Sequence, residues 1–174
     1  MGTASEELLK HTRDVPDFPK PGVLFKDLTP LFGAPDAFTV VIDDIAAQHR
    51  GHVDAVAGVE ARGFIIGAPI ALALGVPFVP IRKAGKLPGE TVSTAYALEY
   101  GTAEVEVHAG AFEDHRRVLV LDDVLATGGT AAAACALVER AGGEVHAVQV
   151  LLELASLHGR THLEGYDLRT VATV

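Results

Sequence analysis

The sequence predicts an α/β fold, a doubly wound and mainly parallel sheet flanked by helices with a β-hairpin appended, and three observations predict it. Apolar runs at residues 53–59, 76–81, 118–121 and 144–154 alternate with helical patterns, as strands covered by helices on both faces require. Two of these runs pass through glycine-bearing turns straight into helices, at Gly58-Val59-Glu60-Ala61-Arg62-Gly63 and at Ala126-Thr127-Gly128-Gly129-Thr130. Residues 94–100 and 103–107 alternate around Gly101, which is the pattern of a hairpin.

In chain order, Ser5-Glu6-Glu7 reads as an N-cap followed by two acids that suit the positive end of a helix dipole, predicting a short surface helix over residues 5–12. Three prolines in residues 16–22 fix φ and remove donors, so an irregular arm is expected there, extended over residues 23–29 and pinned by Phe18 and Phe25. Phe38, Val41, Ile42, Ile45 and Ala46 recur at helical spacing, giving an amphipathic helix to about His49. A strand at residues 53–59 and a helix at 63–74 come next. Residues 64–81 carry no formal charge over eighteen positions, but Gly67, Pro69, Gly75, Pro77 and Pro80 divide them into helix, turn and strand rather than a membrane span. Arg82, Lys83 and Lys86 then stand among glycines and a proline in a mobile basic loop, where this acidic chain gathers positive charge. After the hairpin come the run at 118–121, a nearly all-apolar helix at 131–140, a long strand at 144–154 beyond Gly142-Gly143, and a last short strand at 168–171.

The chain of 174 residues suits one domain, and 49% hydrophobic content supplies a substantial core. Fourteen basic against 23 acidic residues give a net charge of −9, which argues against nucleic-acid and membrane-surface binding. One cysteine, Cys135, permits no internal disulfide, and the absence of asparagine excludes N-linked glycosylation. The first residues lack a signal-peptide pattern, so a cytoplasmic protein is expected.

The chemistry concentrates at residues 118–130, V-L-V-L-D-D-V-L-A-T-G-G-T. An apolar strand is expected to stop at Asp122 and Asp123, at the carboxyl edge where open α/β sheets bind ligands. The turn from Ala126 through Thr127, Gly128 and Gly129 to Thr130 offers backbone amides, two hydroxyls and a helix N-terminus to a phosphate. Acids beside an anion seat suit a sugar phosphate, whose hydroxyls donate to the carboxylates while its phosphate takes the amides. A Walker loop is excluded because its lysine is missing, and no dinucleotide fingerprint follows a strand.

This string resembles the phosphoribosyl-pyrophosphate (PRPP) motif of the type I phosphoribosyltransferases. Four further strings extend the likeness along nearly the whole chain to the adenine phosphoribosyltransferase family: P-D-F-P-K-P-G-V-L-F-K-D-L-T-P-L at 16–31, G-V-E-A-R-G-F at 58–64, R-K-A-G-K-L-P-G at 82–89 and L-E-Y-G at 98–101. The resemblance implies a single type I domain over 1–174, with a small N-terminal hood at 16–31, a flexible basic loop and hairpin at 82–100 and the PRPP motif at 118–130. It implies conversion of adenine and PRPP to AMP and pyrophosphate, with Mg²⁺ held mainly by PRPP and water and no metal ligated directly by side chains. Asp122 and Asp123 would hold the ribose hydroxyls, and residues 126–130 the 5′-phosphate. Arg62, Arg82, Lys83 and Lys86 would meet pyrophosphate. Leu24 and Lys26 would read the edge of adenine through main-chain groups, while Phe25 and Val124 sandwich its ring. Glu99 would face the imidazole side as a catalytic residue, with Tyr100 beside it at the substrate. A homodimer is implied, whose basic loop acts in its own site or across to the other.

Bland readings compete at single residues. Cys135 inside an apolar helix reads as a buried hydrophobe. His158 and His162 have metal-ligand spacing, but no third ligand accompanies them and an exposed turn is the better reading. Two rival functions remain: a non-catalytic PRPP or purine sensor, for which no basic DNA-binding extension is present, and a transferase for another nucleobase. A 6-oxopurine site commonly uses a late lysine, and none follows Lys86.

Overall fold

The computed structural model describes residues 2–97 and 102–174. Helix α1 (Ala4–Lys10) is capped by Thr3, not Ser5: the Thr3 hydroxyl accepts from the Glu6 amide and the Glu6 carboxylate returns to the Thr3 amide, closing a capping box. Leu8 is fully buried, so this helix packs into the body rather than lying over its surface.

The proline-rich arm is more regular than expected. Strand β1 (Arg13–Pro16) pairs antiparallel with β2 (Leu24–Asp27) in a separate two-stranded ribbon. Pro16 falls at the end of its strand, where a missing donor costs little, and the turn is closed by the Gly22 amide donating to Asp17 at 2.7 Å. Phe18 and Phe25 meet edge to face at 5.1 Å, packing the arm on itself; Phe18 is half exposed and neither ring enters the core, so the pair does not pin the arm to the body. Asp27 accepts from the Thr29 amide at 2.9 Å and its hydroxyl at 2.6 Å, anchoring the ribbon to the short helix α2 (Thr29–Phe32). Helix α3 (Pro35–His49) then buries Val41, Ile42, Ile45 and Ala46.

The main sheet contains β3 (Ala55–Val59), β4 (Phe78–Lys83), β5 (Thr91–Ala97), β6 (Thr102–His108), β7 (Arg117–Leu125), β8 (Glu144–Glu153) and β9 (Leu168–Thr173). Their spatial order is β5-β6-β4-β3-β7-β8-β9; the five strands from β4 to β9 run parallel, and the β5/β6 hairpin joins antiparallel at β4. Helix α4 (Arg62–Leu74) follows β3 and continues through Pro69 to a left-handed Gly75; helix α5 (Gly129–Arg140) follows β7. Alternation along β7 divides the core: Leu119 and Leu121 pack toward α1, α3 and α4, whereas Val118 and Val120 pack toward α5 and the buried Cys135.

Three boundaries differ from expectation in ways that matter for the site. Strand β7 does not stop at the acids; it runs through Asp122 and Asp123 to Leu125, because β8 extends beside it and pairs Asp122 with Val150 and Val124 with Leu152. Strand β4 takes in Arg82 and Lys83, whose residues pair with Val105 and Glu106 on β6, so the basic loop begins only at Ala84. Strand β5 starts at Thr91, and the hairpin's tip, including Glu99, Tyr100 and Gly101, lies outside the described residues.

Candidate active site

The carboxyl ends of β3 and β7 open, as a parallel sheet dictates, into a cavity of about 940 Å³. Asp122 and Asp123 both line it. Asp122 Oδ1 accepts from the Asp123 amide at 2.9 Å, and Asp123, only 4% exposed, places Oδ2 2.7 Å from Arg62 Nε. That contact is an ion pair without hydrogen-bond alignment, so Oδ2 has no hydrogen-bond partner. Burial, reinforced by the charge of Asp123, pushes the Asp122 carboxyl well above its ordinary range. Such a site favours ligand hydroxyls or a cation over two bare carboxylates.

Beside the acids, Ala126, Thr127, Gly128 and Thr130 line a hollow of about 80 Å³ at the start of α5. Gly128 has φ +87°, and a Cβ there would overlap the carbonyl oxygen of Gly159. A Cβ on Gly159 would in turn overlap the Ala126 carbonyl. The two backbones therefore touch as only glycines permit, which fixes the floor of the cradle and leaves amides and hydroxyls for an anion.

The ribbon covers the other side. Val23, Leu24, Phe25 and Lys26 line the cavity with Val124 facing it from β7, and the Arg62 guanidinium lies 5.4 Å from the Phe25 ring centroid. The Lys26 ammonium is tied to Asp14 at 2.7 Å. The acid pair, the two ends of the glycine turn at Ala126 and Thr130, and the Phe25 ribbon thus line one space, with the rest of the turn in the adjoining hollow.

Residues 34–172 match the family model described as phosphoribosyl transferase domain. The chain is 58% identical over 164 residues to the adenine phosphoribosyltransferase of Streptomyces clavuligerus, covering 94% of this chain and 92% of that one. It is 56% identical over 166 residues to the enzyme of that name from Thermobifida fusca, with 95% and 94% covered. The chain belongs to the adenine phosphoribosyltransferase family. Among solved members, that of Thermoanaerobacter pseudethanolicus superposes with a TM-score of 0.92 at 48% identity, covering 98% of this chain and 99% of that one. The Saccharomyces cerevisiae member, solved with an imino-altritol bisphosphate and adenine, gives 0.91 at 38% identity with 97% and 98% covered.

For this adenine phosphoribosyltransferase family member, the type I fold expected from the strings is the fold observed. Its basic segment is divided. Lys83 lines the cavity, whereas Arg82 turns to Glu60 (Nε to Oε2, 3.2 Å) and to the Lys86 carbonyl (3.1 Å), and neither Arg82 nor Lys86 lines the cavity of this chain. The Lys83 amide also donates to Glu60 at 3.0 Å and, outweighing burial, holds that carboxyl below its usual range. Tyr96 and Ala103 line the cavity from the two hairpin strands and bracket the tip that carries Glu99 and Tyr100. Thr130 donates to the Tyr96 hydroxyl at 3.4 Å, joining hairpin to cradle.

Sequence reading missed the far wall of this phosphoribosyltransferase site: Leu154, Ser156, Leu157 and Val174. The signal was present, since residues just past β8 stand at the same carboxyl edge as those past β3 and β7, but the composition of the tail gave no hint that β9 would bring Val174 back to it. His158 and His162 are exposed, as expected of a turn, yet Gly159 between them is buried under the cradle. Among the described residues no three histidine, cysteine or acidic side chains gather to hold a metal. The donors at hand are the carboxylate oxygens of Asp122 and Asp123, of which Asp123 Oδ2 is already paired with Arg62, a set that fits a hydrated Mg²⁺ held mainly by its ligand better than a protein cage.

Proposed function

We propose that this chain transfers the 5-phosphoribosyl group of PRPP to N9 of adenine, giving AMP and pyrophosphate. The observation that carries the reading is that Asp122, Asp123, Ala126, Thr130 and Phe25 line one cavity, with Thr127 and Gly128 of the same turn lining the hollow that adjoins it at Asp122 and Val124. The names of its relatives, and the adenine and bisphosphate bound to the yeast member, support the same substrates.

In this reading the amides and hydroxyls from Ala126 to Thr130 hold the 5′-phosphate, and Asp122 and Asp123 accept hydrogen bonds from the ribose hydroxyls. Displacement at C1′ passes through a cationic, oxocarbenium-like state, which fixed carboxylates stabilise more than the neutral ground state. Arg62 and Lys83 meet the pyrophosphate, joined by Arg82 once it leaves Glu60 and by Lys86 when the basic loop moves over this site or a partner's. Phe25 and Val124 sandwich adenine, main-chain groups of Leu24 and Lys26 read its edge, and Tyr100 contacts the substrate from the hairpin tip. Glu99 takes the N7 proton of adenine: the N7–H tautomer leaves N9 free to attack, and a carboxylate beside N7 both selects that tautomer and accepts its proton. Asp122 and Asp123 are the groups that would stand nearest a Mg²⁺ bound with PRPP. When bound, that ion offsets the charge of the pyrophosphate leaving group, which a protein of net charge −9 cannot do with its own few cations.

Self-association as a homodimer is part of the proposal. Ile65, Ala68 and Leu72 form an exposed apolar row on α4, with Leu72 84% exposed, the kind of face that a second copy covers. No described helix is long and apolar enough to cross a membrane, and Cys135 is buried as a free thiol; both suit work in the cytoplasm.

The test is an assay of the purified protein with PRPP, Mg²⁺ and each nucleobase in turn. Adenine is expected to give AMP, with activity lost to EDTA and restored by added Mg²⁺. Nucleotide formation from another base instead, or full activity without divalent metal, overturns the corresponding part.

A further inference from the structure

The mechanism above makes no use of Glu106, although it is a buried acid in the middle of a strand. It lies on β6, is 5% exposed, and makes no ion pair among the described residues: Arg82, its register partner on β4, turns instead to Glu60. Its partners come from the basic loop and from the first residue of β5. The amides of Lys86 and Leu87 both donate to Glu106 Oε1 at 2.8 Å, and the Thr91 hydroxyl donates to Oε2 at 3.4 Å. A carboxylate that accepts two backbone amides acts on the path of the chain rather than on any one side chain. Here it grips the peptides on either side of Lys86, in the middle of a segment whose Lys83, Ala84, Gly85, Lys86, Pro88 and Gly89 are exposed. Glycines with positive φ at Gly85 and Gly89 flank the gripped residues, so the loop has turns on both sides of a fixed point.

We propose that Glu106 is the positioning residue of the basic loop, its buried carboxylate setting where Lys86 stands relative to the cavity. A loop without this hold samples many placements, and an anion that needs its cations must meet the entropic cost of ordering it. The Leu87 amide, against the opposing effect of burial and with help from the Gly85 and Lys86 amides, holds the Glu106 carboxyl below its usual range, so it stays an acceptor throughout neutral pH. The functional consequence rests on the reading of the cavity as a PRPP site; the hold itself does not.

Three variants of the full chain, assayed with Mg²⁺, test this. Glu106→Ala removes the acceptor. Glu106→Gln keeps an oxygen for the two amides and turns its NH₂ toward the Thr91 hydroxyl. Leu87→Pro deletes one donor from the loop while leaving Glu106 in place, and decides the matter if Glu106→Ala does not fold. Hydrogen exchange at residues 84–90 and cleavage by trypsin after Lys83 and Lys86 are expected to rise at least tenfold in Glu106→Ala. In Leu87→Pro, where trypsin does not cut after Lys86 because a proline follows it, exchange at the remaining amides of 84–90 and cleavage after Lys83 are expected to rise. The KM for PRPP is expected to rise about tenfold with the KM for adenine within twofold of the parent, and Glu106→Gln is expected to restore most of both. Unchanged exchange and an unchanged PRPP KM overturn the proposal, as does a parallel loss in kcat and both KM values that tracks a fall in Tm. Faster exchange in a protein that makes no nucleotide from any base leaves the hold standing and removes the PRPP reading instead.

Discussion

Arg62 Nε stands 2.7 Å from Asp123 Oδ2, and the same guanidinium lies over the Phe25 ring, so one side chain at the start of α4 joins the acid pair on β7 to the hood on β2. It reaches both because Gly63, the next residue, brings the helix start against the Leu121 carbonyl of β7, where a Cβ would come within 2.9 Å. Replacing Arg62 with alanine leaves a buried carboxylate without its cation and a hood without its latch. Affinity for both PRPP and adenine is expected to fall, each by about tenfold or more, equivalent to roughly 1.4 kcal/mol. Calorimetry that finds either affinity unchanged would separate the hood from the acid pair.

Asp123→Asn keeps shape and removes charge at the acid that stands closest to Arg62. If the carboxylate stabilises developing positive charge at C1′, kcat falls by more than the KM for PRPP rises. Steady-state kinetics showing a change confined to KM would reduce the residue to a binding role.

The contact between Gly128 and Gly159 should be intolerant of a single methyl group. Gly159→Ala forces the new Cβ into the Ala126 carbonyl and displaces the amides of the cradle. Charge-assisted hydrogen bonds are worth roughly 1.5 to 3 kcal/mol each, so losing alignment of one weakens AMP binding by about tenfold or more. A cooperative melt with weakened AMP binding is the expected pair of results; a melt with parental AMP affinity places the phosphate elsewhere.

Glu99→Gln tests the proton acceptor on the hairpin tip. A positioned base contributes about 10² to 10⁴ in rate, and kcat/KM with adenine should fall within that range. Analogues with carbon in place of N7 should be poor substrates of the parent. Near-normal kcat/KM in the variant would leave the residue as part of the hairpin only.

Two pH windows follow from the shifted groups. Burial lowers the His49 imidazole below its ordinary 6.5, despite the Gln149 side chain 3.3 Å away, so below that pH the unfolded chain takes up a proton that the folded one refuses and stability falls. Hydrogen bonds from Thr29, then Arg13, hold Asp27 at about 2, and Arg117 holds Asp54 at about 2. These depressed carboxylates stabilise the fold fully above their ordinary 3.8, and that contribution is lost as pH falls through about 2. Tm measured from pH 8 down to pH 2 should therefore drop in two stages, and His49→Gln should flatten the first. A parental Tm that is level between pH 7 and pH 5 would remove His49 from the account.

Much was legible because residue type and spacing are local. Period-two and period-3.6 patterns gave the alternation of strands and helices, and an apolar run, two acids, a glycine turn and an apolar helix gave the strand-turn-helix unit before any contact was known. The boundaries that slipped were those set by a neighbour. β7 continues through Asp122 and Asp123 because β8 runs beside it, and the proline-rich arm becomes a ribbon because β2 returns to pair with β1. A stretch of sequence carries no record of which strand will satisfy its backbone.

Consecutive residues were enough for the α/β class, the adjacent acids, the glycine turn into an apolar helix and the kinship, since the chemistry of each does not depend on distant ones. Only the tertiary structure decided that Gly159 supports the cradle, that Val174 closes the cavity, that Arg82 is spent on Glu60 while Lys83 faces the site, and that Glu106 grips the basic loop. Each of these is a contact between segments far apart in the chain, fixed by strand order and close packing. Those are properties of the assembled sheet, and no single segment holds them.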